Sequence, residues 1–410
     1  MSRSTKRVLL GALGALVLSA GAPALASAAK LYVSPTTGGR GHSCAASGFS
    51  QVQAAINAAN PGDTVVVCGG PYKEQLTIAK NITLEGKESA SVALPAAPLG
   101  GTECAVSTSY TLVQICNNAS VAIKSVAFHG TFTPCPGTRD FVVFVGGEAT
   151  LAATKSQFEG PGCSEDGSAL QIGRGFTGQV GHASLSKDAI DGYGKNGLTI
   201  DGPGSTASVS GITIIGAGSG VIGQNGIQVS RGATATITKA HVSNNTCKEN
   251  PTCGDTGESQ WEEDAAGVLV YRGAATVTKS ELKNNDIGIE YVSAGATRPA
   301  SPELTAKHNT ITGGFGSVEI SQGRALLEKN TLSGGDYGVV VALDKYATEE
   351  GTGEYAPEAT STHDQVGGAK DAVRVEPFSG QAGKLVLAHD QLAGSISNLD
   401  EPAFVVEQTP

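Results

Sequence analysis

The sequence predicts an all-β fold, a right-handed parallel β-helix solenoid that begins with a short N-terminal capping helix. Three observations support this prediction: a recurring set of three short strands, 56 glycines among 410 residues, and only 5% aromatic residues. Frequent turns and a narrow core of small aliphatic side chains are typical of stacked short strands. Because each unit of a repeat protein packs only on its neighbours, 410 residues need not be several domains.

The repeat is clearest in residues 225–245 and 266–285, which match nearly position for position. Within each strand, apolar and polar residues alternate, which is the period of a β-strand rather than of a helix. An antiparallel β-sandwich is the alternative, but it requires hairpin turns instead of in-register repetition. The residues expected to stack inside the first strand of successive coils are Leu170, Leu198, Ile227, Val268, Ile289, Val318 and Val339.

The N-terminal segment reads as a targeting signal. Arg3, Lys6 and Arg7 precede an apolar run over residues 8–18, which is shorter than the ~20 residues of a membrane-spanning helix. An A-x-A cleavage site at residues 24–26 follows. We therefore predict a signal peptide over 1–29, a secreted location in the medium or cell envelope, and no membrane span after cleavage; an uncleaved anchor is the alternative.

The rest of the chain is predicted to be one β-helix domain over 30–400, with a C-terminal tail at 401–410. Loop insertions are expected at 246–264, in the 41-residue coil between Ile227 and Val268, and at 346–370. The formal net charge of −10 argues against a nucleic-acid partner, because phosphates require clustered Lys and Arg. The sequence leaves the oligomeric state open.

The eight cysteines are expected to form disulfides, as is usual in a secreted protein. Metal ligation is the alternative, but no Cys-x-x-Cys motif is present. Locality favours sequential pairing as Cys44–Cys68, Cys104–Cys116, Cys135–Cys163 and Cys247–Cys253.

The first coil carries the most recognisable motifs. A short amphipathic helix is predicted over 52–59, with Ser50 as its N-cap. Its Gln53-Ala-Ala-Ile56 is followed by Pro61-Gly-Asp-Thr-Val-Val-Val67, Gly70-Pro-Tyr-Lys-Glu74 and Lys80-Asn-Ile-Thr-Leu-Glu-Gly86. These motifs resemble the pectin-lyase-like superfamily of right-handed parallel β-helices. The resemblance covers roughly residues 30–400 and implies the fold, but it names no reaction, because the superfamily includes lyases, hydrolases, esterases, epimerases and non-enzymes.

Few sequence motifs of particular enzyme families are found in the chain. The segment Asp140-Phe-Val-Val-Phe-Val-Gly146 loosely resembles a strand motif of pectin methylesterases, but the other motifs of that family are absent. The motifs of polygalacturonases are absent as well. Whether the protein is an enzyme therefore stays open; a polysaccharide lyase or a glycoside-active enzyme is the expectation if it is one.

Candidate site residues follow from the register of the repeat. Glu290 and Glu319 should face outward from adjacent strands, where two carboxylates can share a proton, bind a cation such as calcium, or act as an acid/base pair. In the following turn, Arg231 and Arg272 should be neighbours and suit an acidic sugar. The alternatives are a solvated sheet face for the glutamates and an exposed turn for the arginines.

Trp261 is the only tryptophan and lies in the predicted 246–264 insertion. It could stack on a sugar, although half-buried packing is the commoner role of a loop tryptophan. We therefore predict a protein that binds or acts on an extracellular polysaccharide or cell-surface glycan, with calcium as a possible cofactor. A non-catalytic adhesin or envelope structural protein is the alternative.

Overall fold

The chain coils into stacked parallel strands. The computed structural model describes residues 28–36, 39, 41–104, 107–132, 139–162, 167–220, 222–247, 265–293, 298–342, 356–376, 382–398 and 403–410. Within these ranges nearly every strand pairs in parallel with its equivalent one coil away, and one short antiparallel pairing joins Gly101–Glu103 to Ser107–Ile115. The predicted parallel β-helix solenoid is confirmed.

Each coil contributes up to three strands, which we name by their order in the repeat. The first-strand sheet contains Leu76–Ile78, Ser107–Ile115, Asp140–Val145, Ser168–Ile172, Asn196–Asp201, Asn225–Ser230, Ala266–Tyr271, Ile287–Val292, Gly316–Ser321 and Tyr337–Val341. The second-strand sheet contains Lys30–Val33, Thr64–Cys68, Ile82–Lys87, Ser120–Lys124, Ala149–Thr154, Gly181–Ser186, Thr206–Ser210, Thr234–Thr238, Ala274–Thr278, Leu304–Lys307, Arg324–Glu328, Glu358–Thr362, Gly383–Ala388 and Phe404–Thr409. The third-strand sheet contains Tyr72–Lys73, Ser91–Ala93, Ala127–His129, Gln157–Glu159, Ala189–Asp191, Thr213–Ile215, His241–Ser243, Glu281–Lys283, Thr310–Thr312 and Thr331–Ser333.

Two long strands, Gln365–Val375 and Gln391–Asn398, run through both the third-strand and first-strand sheets of the last coils. The second-strand sheet has no such connection to its neighbours. The coil therefore turns less sharply between its third and first strands than at its other two corners.

The core is one column of aliphatic side chains per strand position. The seven residues predicted to stack inside the first strand are all 0% exposed, and the register pairs Ile227 with Val268 and Val268 with Ile289. Glycine recurs just before this column because no side chain fits there: a Cβ on Gly226 would lie 2.3 Å from Cγ1 of Val242. Because glycine has no side chain at this position, the third strand can pack closely against the first.

A short helix, Val52–Ala58, precedes the first complete coil and buries Val52, Ala55 and Ile56. The predicted N-cap was wrong: the N-cap is Gln51, and no side chain of that residue caps the helix. Instead the carboxylate of Glu74 accepts hydrogen bonds from the backbone N–H groups of Val52 and Gln53, at 2.8 and 3.0 Å. A carboxylate that is distant in sequence can replace the side chain of an N-cap residue, because it satisfies the same free N–H groups at the start of the helix.

Two predicted boundaries near the C-terminus need correction. Residues 358–362 and 365–370, placed in the 346–370 insertion, belong to strands that pair with the preceding coil. The predicted tail contains the strand Phe404–Thr409, which pairs with Gly383–Ala388. In 358–370 a polar and glycine-rich composition concealed the strands, whereas Phe404–Thr409 was missed although its first three residues are apolar.

Two of the predicted disulfides, Cys44–Cys68 and Cys104–Cys116, are present. Cys247 is also disulfide-bonded, while its predicted partner Cys253 lies outside the described residues. Cys135 and Cys163 lie outside them too, as do residues 1–27 of the predicted signal peptide. No helix among the residues described here is long and apolar enough to cross a membrane.

A buried ladder of polar side chains supports the turns between the second and third strands. The Oδ1 atom of Asn309 accepts a hydrogen bond from the N–H of Ser280, and Asn330 does the same for Asn309, both at 2.9 Å. Asp364 and Asp390 continue the ladder toward the C-terminus. Each coil thus satisfies a buried N–H of the coil before it, which links neighbouring turns.

Candidate functional site

The outward side of the first-strand sheet is lined by polar residues that are nevertheless covered. Outward-facing Gln171, Thr199 and Ser230 are 5%, 4% and 0% exposed. On the second-strand sheet, by contrast, outward Ser184, Ser208 and Thr236 are exposed. The polar side chains on this stretch of the first-strand sheet are therefore covered by neighbouring parts of the protein, and we call this outward face the groove.

Glu290 and Glu319 occupy equivalent positions on adjacent strands of this sheet. The register pairs them directly, at the strand separation of ~4.8 Å, and both are partly exposed between buried neighbours. Their predicted adjacency and outward orientation are therefore correct. Their role in binding is not decided by this placement.

Arg231 and Arg272 also stack as predicted. The N–H of Arg231 donates to the carbonyl of Tyr271 at 3.0 Å, which places the two arginines at equivalent positions of neighbouring turns. The side chain of Arg231 donates from Nη1 to Oδ1 of Asp201, also at 3.0 Å, and Asp201 is 3% exposed. A buried carboxylate thus holds one of the two guanidinium groups in place.

Asp201 organises a local network that the sequence did not indicate. Its Oδ1 accepts a second hydrogen bond from the hydroxyl of Ser230 at 2.8 Å, and its Oδ2 accepts one from the N–H of Gly175 at 2.8 Å. Gly175 begins a 3₁₀ turn, Gly175–Thr177. The same carboxylate therefore positions both Arg231 and this turn.

The turn presents Phe176, whose side chain is 66% exposed. The guanidinium carbon of Arg231 lies 4.1 Å from the centroid of its ring, and that of Arg139 lies 5.8 Å away, both within cation–π range. Arg139 precedes a first strand whereas Arg231 follows one, so Phe176 lies across the outward face of the sheet. An exposed ring flanked by two cations is a platform suited to a sugar that carries acidic groups.

Beyond the two glutamates the same face contains buried polar atoms that lack a partner within the described structure. Ser321 and Gln322 follow Glu319 and are both 0% exposed. The hydroxyl of Ser321 and both amide atoms of Gln322 make no hydrogen bond. Unsatisfied buried polar groups are costly, and they are found where an additional ligand or water can satisfy them.

Two further predictions concern Trp261 and the binding of calcium. Trp261 and most of the 246–264 insertion lie outside the described residues. Within the parts of the chain that are described, no group of three or more His, Cys, Asp or Glu side chains could hold a metal ion. Calcium binding by Glu290 and Glu319 therefore stays a prediction.

A stack of titratable residues on the third-strand sheet was not anticipated. His129, Glu159 and Asp191 occupy equivalent positions of consecutive coils, and Nδ1 of His129 lies 2.5 Å from Oε2 of Glu159. Burial, and then the charge of Glu159, raise the pKa of Asp191. Register analysis of the third strands could have found this column, because each member is the last residue of its strand.

Comparisons with known proteins add similarity of shape only. No family model and no curated protein matches the sequence. Among solved structures, the A-module of mannuronan C-5 epimerase AlgE6 from Azotobacter vinelandii is 14% identical, with a TM-score of 0.40 over 88% of this chain and 94% of that one. Pectate lyase Pel9A is 13% identical, with a TM-score of 0.40 over 93% and 80% of the two chains. A PL6 alginate lyase complexed with a trisaccharide is 10% identical, with a TM-score of 0.40 over 93% and 96%. At this level of similarity the fold rests on the strand pairing above, and no activity is transferred.

Proposed function

We propose that this protein binds an extracellular polysaccharide along the outward face of its first-strand sheet. The observation that carries the proposal is Phe176, an exposed ring held across that face with Arg231 at 4.1 Å from its centroid. The part of the Phe176 ring that is exposed can cover the apolar face of a sugar. The flanking guanidinium groups can donate paired hydrogen bonds to a carboxylate on the same sugar.

Glu290 and Glu319 lie on the same face, further along the axis of the β-helix. They are three and four strands away from Asn196–Asp201, the strand that ends with Asp201. Their carboxylates can accept hydrogen bonds from sugar hydroxyls, or hold calcium against an acidic chain. Arg272, stacked on Arg231, adds a second cation at the edge of the groove. Trp261, on the predicted 246–264 insertion, is a further candidate for stacking.

Binding accounts for these residues better than bond cleavage does. An arginine could serve as a base only after losing its proton, which is costly for a group whose reference pKa is above ~12. The glutamate pair could act as acid and base, and a cleavage assay belongs in the test for that reason. Secretion is part of the proposal, because an extracellular glycan requires it.

The test compares the purified protein with Phe176→Ala and with the double variant Glu290→Gln/Glu319→Gln. Binding to polygalacturonate, alginate and a neutral glycan is measured by calorimetry, in calcium and in EDTA, while absorbance reports unsaturated products of a lyase. Phe176→Ala should weaken binding of an acidic glycan by about tenfold, or ~1.4 kcal/mol, with an unchanged melting temperature. The double variant should weaken binding too, and its loss should disappear in EDTA if calcium is the ligand of the pair.

Ile215→Ala is the matched control, because Ile215 is 46% exposed but lies on the third-strand sheet. It should bind as the unmodified protein does. Wild-type affinity in both Phe176→Ala and the glutamate double variant would remove the groove from consideration and leave the adhesin or structural alternative.

A further inference from the structure

The turns between the second and third strands carry a column of basic residues. In each of these turns one residue has a positive φ, and its N–H donates to a carbonyl of the next coil, as Lys155 does to Ser186 at 3.1 Å and Lys187 to Ser210 at 3.0 Å. The equivalent residues of ten consecutive coils are therefore stacked in one line. They are Ser125, Lys155, Lys187, Gly211, Lys239, Lys279, His308, Lys329, His363 and His389.

The geometry of the turn does not explain these residue types. A positive φ favours glycine, and after it asparagine and aspartate, over a long side chain. The left-handed conformation costs other residues roughly 1–2 kcal/mol. Glycine is nevertheless used only at position 211 of this column, while the φ of Lys155 is 52° and that of Lys279 is 53°. The lysines accept this strain and present their side chains outward, where all are exposed.

Four of these residues, Lys155, Lys187, Lys239 and Lys279, form what we call the lysine ridge. Within the described part of the chain their ammonium groups make no ion pair or hydrogen bond, unlike Lys329, which pairs with Glu328. The flanking column on the second-strand sheet is neutral and hydroxylated over the same coils, with Thr154, Ser186, Ser210, Thr238 and Thr278.

The other flanking column is also close to neutral. Along these coils it consists of Gln157, Ala189, Thr213, His241 and Glu281. The one carboxylate, Glu281, is already paired with Lys283 and lies 3.1 Å from the ring of His241. The ridge is therefore a line of positive charge, interrupted once at Gly211, on a chain whose net charge is −10.

We propose that the lysine ridge binds a linear acidic polysaccharide that lies parallel to the axis of the β-helix. At ~4.8 Å per coil the four lysines span about 19 Å, with Gly211 as the one gap. A chain of uronic acids carries one carboxylate per sugar, so successive carboxylates can meet successive coils. The hydroxyls of the flanking column can bond to the sugar hydroxyls beside them.

The chemistry of the ridge favours a glycan over nucleic acid. Single-stranded nucleic acids are bound by aromatic side chains that stack on the bases, together with positive charge. Neither column that flanks the lysine ridge contains an aromatic side chain other than His241. This site is separate from the groove of the first-strand sheet, and the proposal does not depend on that groove.

The experiment replaces all four ridge lysines with glutamine, which keeps the length and polarity of each side chain. The matched control changes four other surface lysines, Lys30, Lys73, Lys370 and Lys384, to glutamine and so alters the net charge equally. Affinity for polygalacturonate and for single-stranded DNA is measured at several salt concentrations, after circular dichroism has established that each variant is folded.

The ridge variant should lose at least tenfold in affinity for polygalacturonate, and the salt dependence of its binding should become shallower, since fewer counterions are released. The control variant should stay within about twofold of the unmodified protein, as expected for screened surface charges. Unchanged binding by the ridge variant, or equal losses in the ridge and control variants, would overturn the proposal. Equal losses for DNA and polygalacturonate in the ridge variant would overturn the assignment to a glycan.

The groove variants keep the two proposals distinguishable. Phe176→Ala combined with Glu290→Gln/Glu319→Gln leaves the ridge intact, so the salt-sensitive binding lost in the ridge variant should persist in this combination. If the groove combination abolishes all binding and the ridge variant none, the ridge proposal fails while the groove proposal stands.

Discussion

Oδ1 of Asp201 accepts a hydrogen bond from Nη1 of Arg231 at 3.0 Å, in a pair whose carboxylate side chain is only 4% exposed. Oδ2 of the same carboxylate accepts the N–H of Gly175 at 2.8 Å. The exposed ring of Phe176 is thus positioned from both sides, through its own turn and through the guanidinium beside it. The buried carboxylate of Asp201 therefore determines the shape of the proposed stacking surface.

Replacing Asp201 with asparagine should weaken both stability and glycan binding. The charge-assisted bond to Arg231 is lost and one buried N–H loses a good acceptor, which together cost about 1–3 kcal/mol. Urea unfolding measures the loss of stability, and calorimetry measures the loss of affinity. Asp336→Asn is the control, because Asp336 pairs with Lys370 on the surface, where such pairs contribute little. Equal effects of the two substitutions would contradict the role given to Asp201.

Ionisation of Asp188 should lower the free energy of unfolding as the pH rises from 4 to 6. Its side chain is 1% exposed, and burial raises its pKa to about 6 even though the N–H groups of Ser156 and Ser186 donate to it. Because the folded state then holds a proton that the unfolded state releases, the favourable contribution exists below pH 4 and disappears as the pH rises through 6. The change is at most about 3 kcal/mol.

In Asp188→Asn this part of the pH dependence should vanish, so the free energy of unfolding should fall less steeply between pH 4 and 6.5. Urea unfolding at several pH values measures the slope, whatever the absolute stability of the variant. Asp364 and Asp390, whose pKa values burial also raises, remain and leave a residual slope. Identical slopes in the two proteins would show that Asp188 titrates as an ordinary carboxyl.

Replacing Glu159 with glutamine should lower the pKa of Asp191. The negative charge of Glu159 is the second cause of the raised pKa, after burial, so its removal makes ionisation of Asp191 easier. Burial persists in the variant and continues to oppose ionisation of Asp191. Carbon NMR of the carboxyl group measures the titration. Glu281→Gln, in the same sheet three coils away from Asp191, should leave it unchanged.

Asn330→Ala should be strongly destabilising because it cuts the buried ladder. The amide of Asn330 accepts from Asn309 and donates to the carbonyl of Ala306 and to Asp364, each at 2.9 to 3.0 Å. Leaving these buried groups without partners should cost about 2–4 kcal/mol, measured by urea unfolding. Asn57→Ala is the comparison, since Asn57 is exposed on the helix and its side chain accepts a hydrogen bond from Gln53. A cost below 1 kcal/mol at position 330 would indicate that water replaces the ladder.

The sequence by itself determined the repeat, and with it the strands, the stacked core and the adjacency of Glu290 and Glu319. This was possible because a strand has a period of two and a solenoid places equivalent positions on top of one another. Two disulfides, Cys44–Cys68 and Cys104–Cys116, were predicted for a related reason, since neighbouring coils bring cysteines that are close in sequence close in space. The strands in 358–370 escaped because their outward positions are polar or small, whereas Phe404–Thr409 was missed although its exposed Val405 is apolar.

Only the tertiary structure decided which polar residues act together. Phe176 and Asp201 belong to different coils, and their association depends on a turn that folds back across the sheet, which periodicity does not encode. The lysine ridge also appeared only once the coils, whose lengths differ, had been aligned by their hydrogen bonds. Local patterns specify where a side chain points, because that follows from the backbone of a few residues. Which charges and rings meet depends on the lengths of the intervening turns and on what those turns cover.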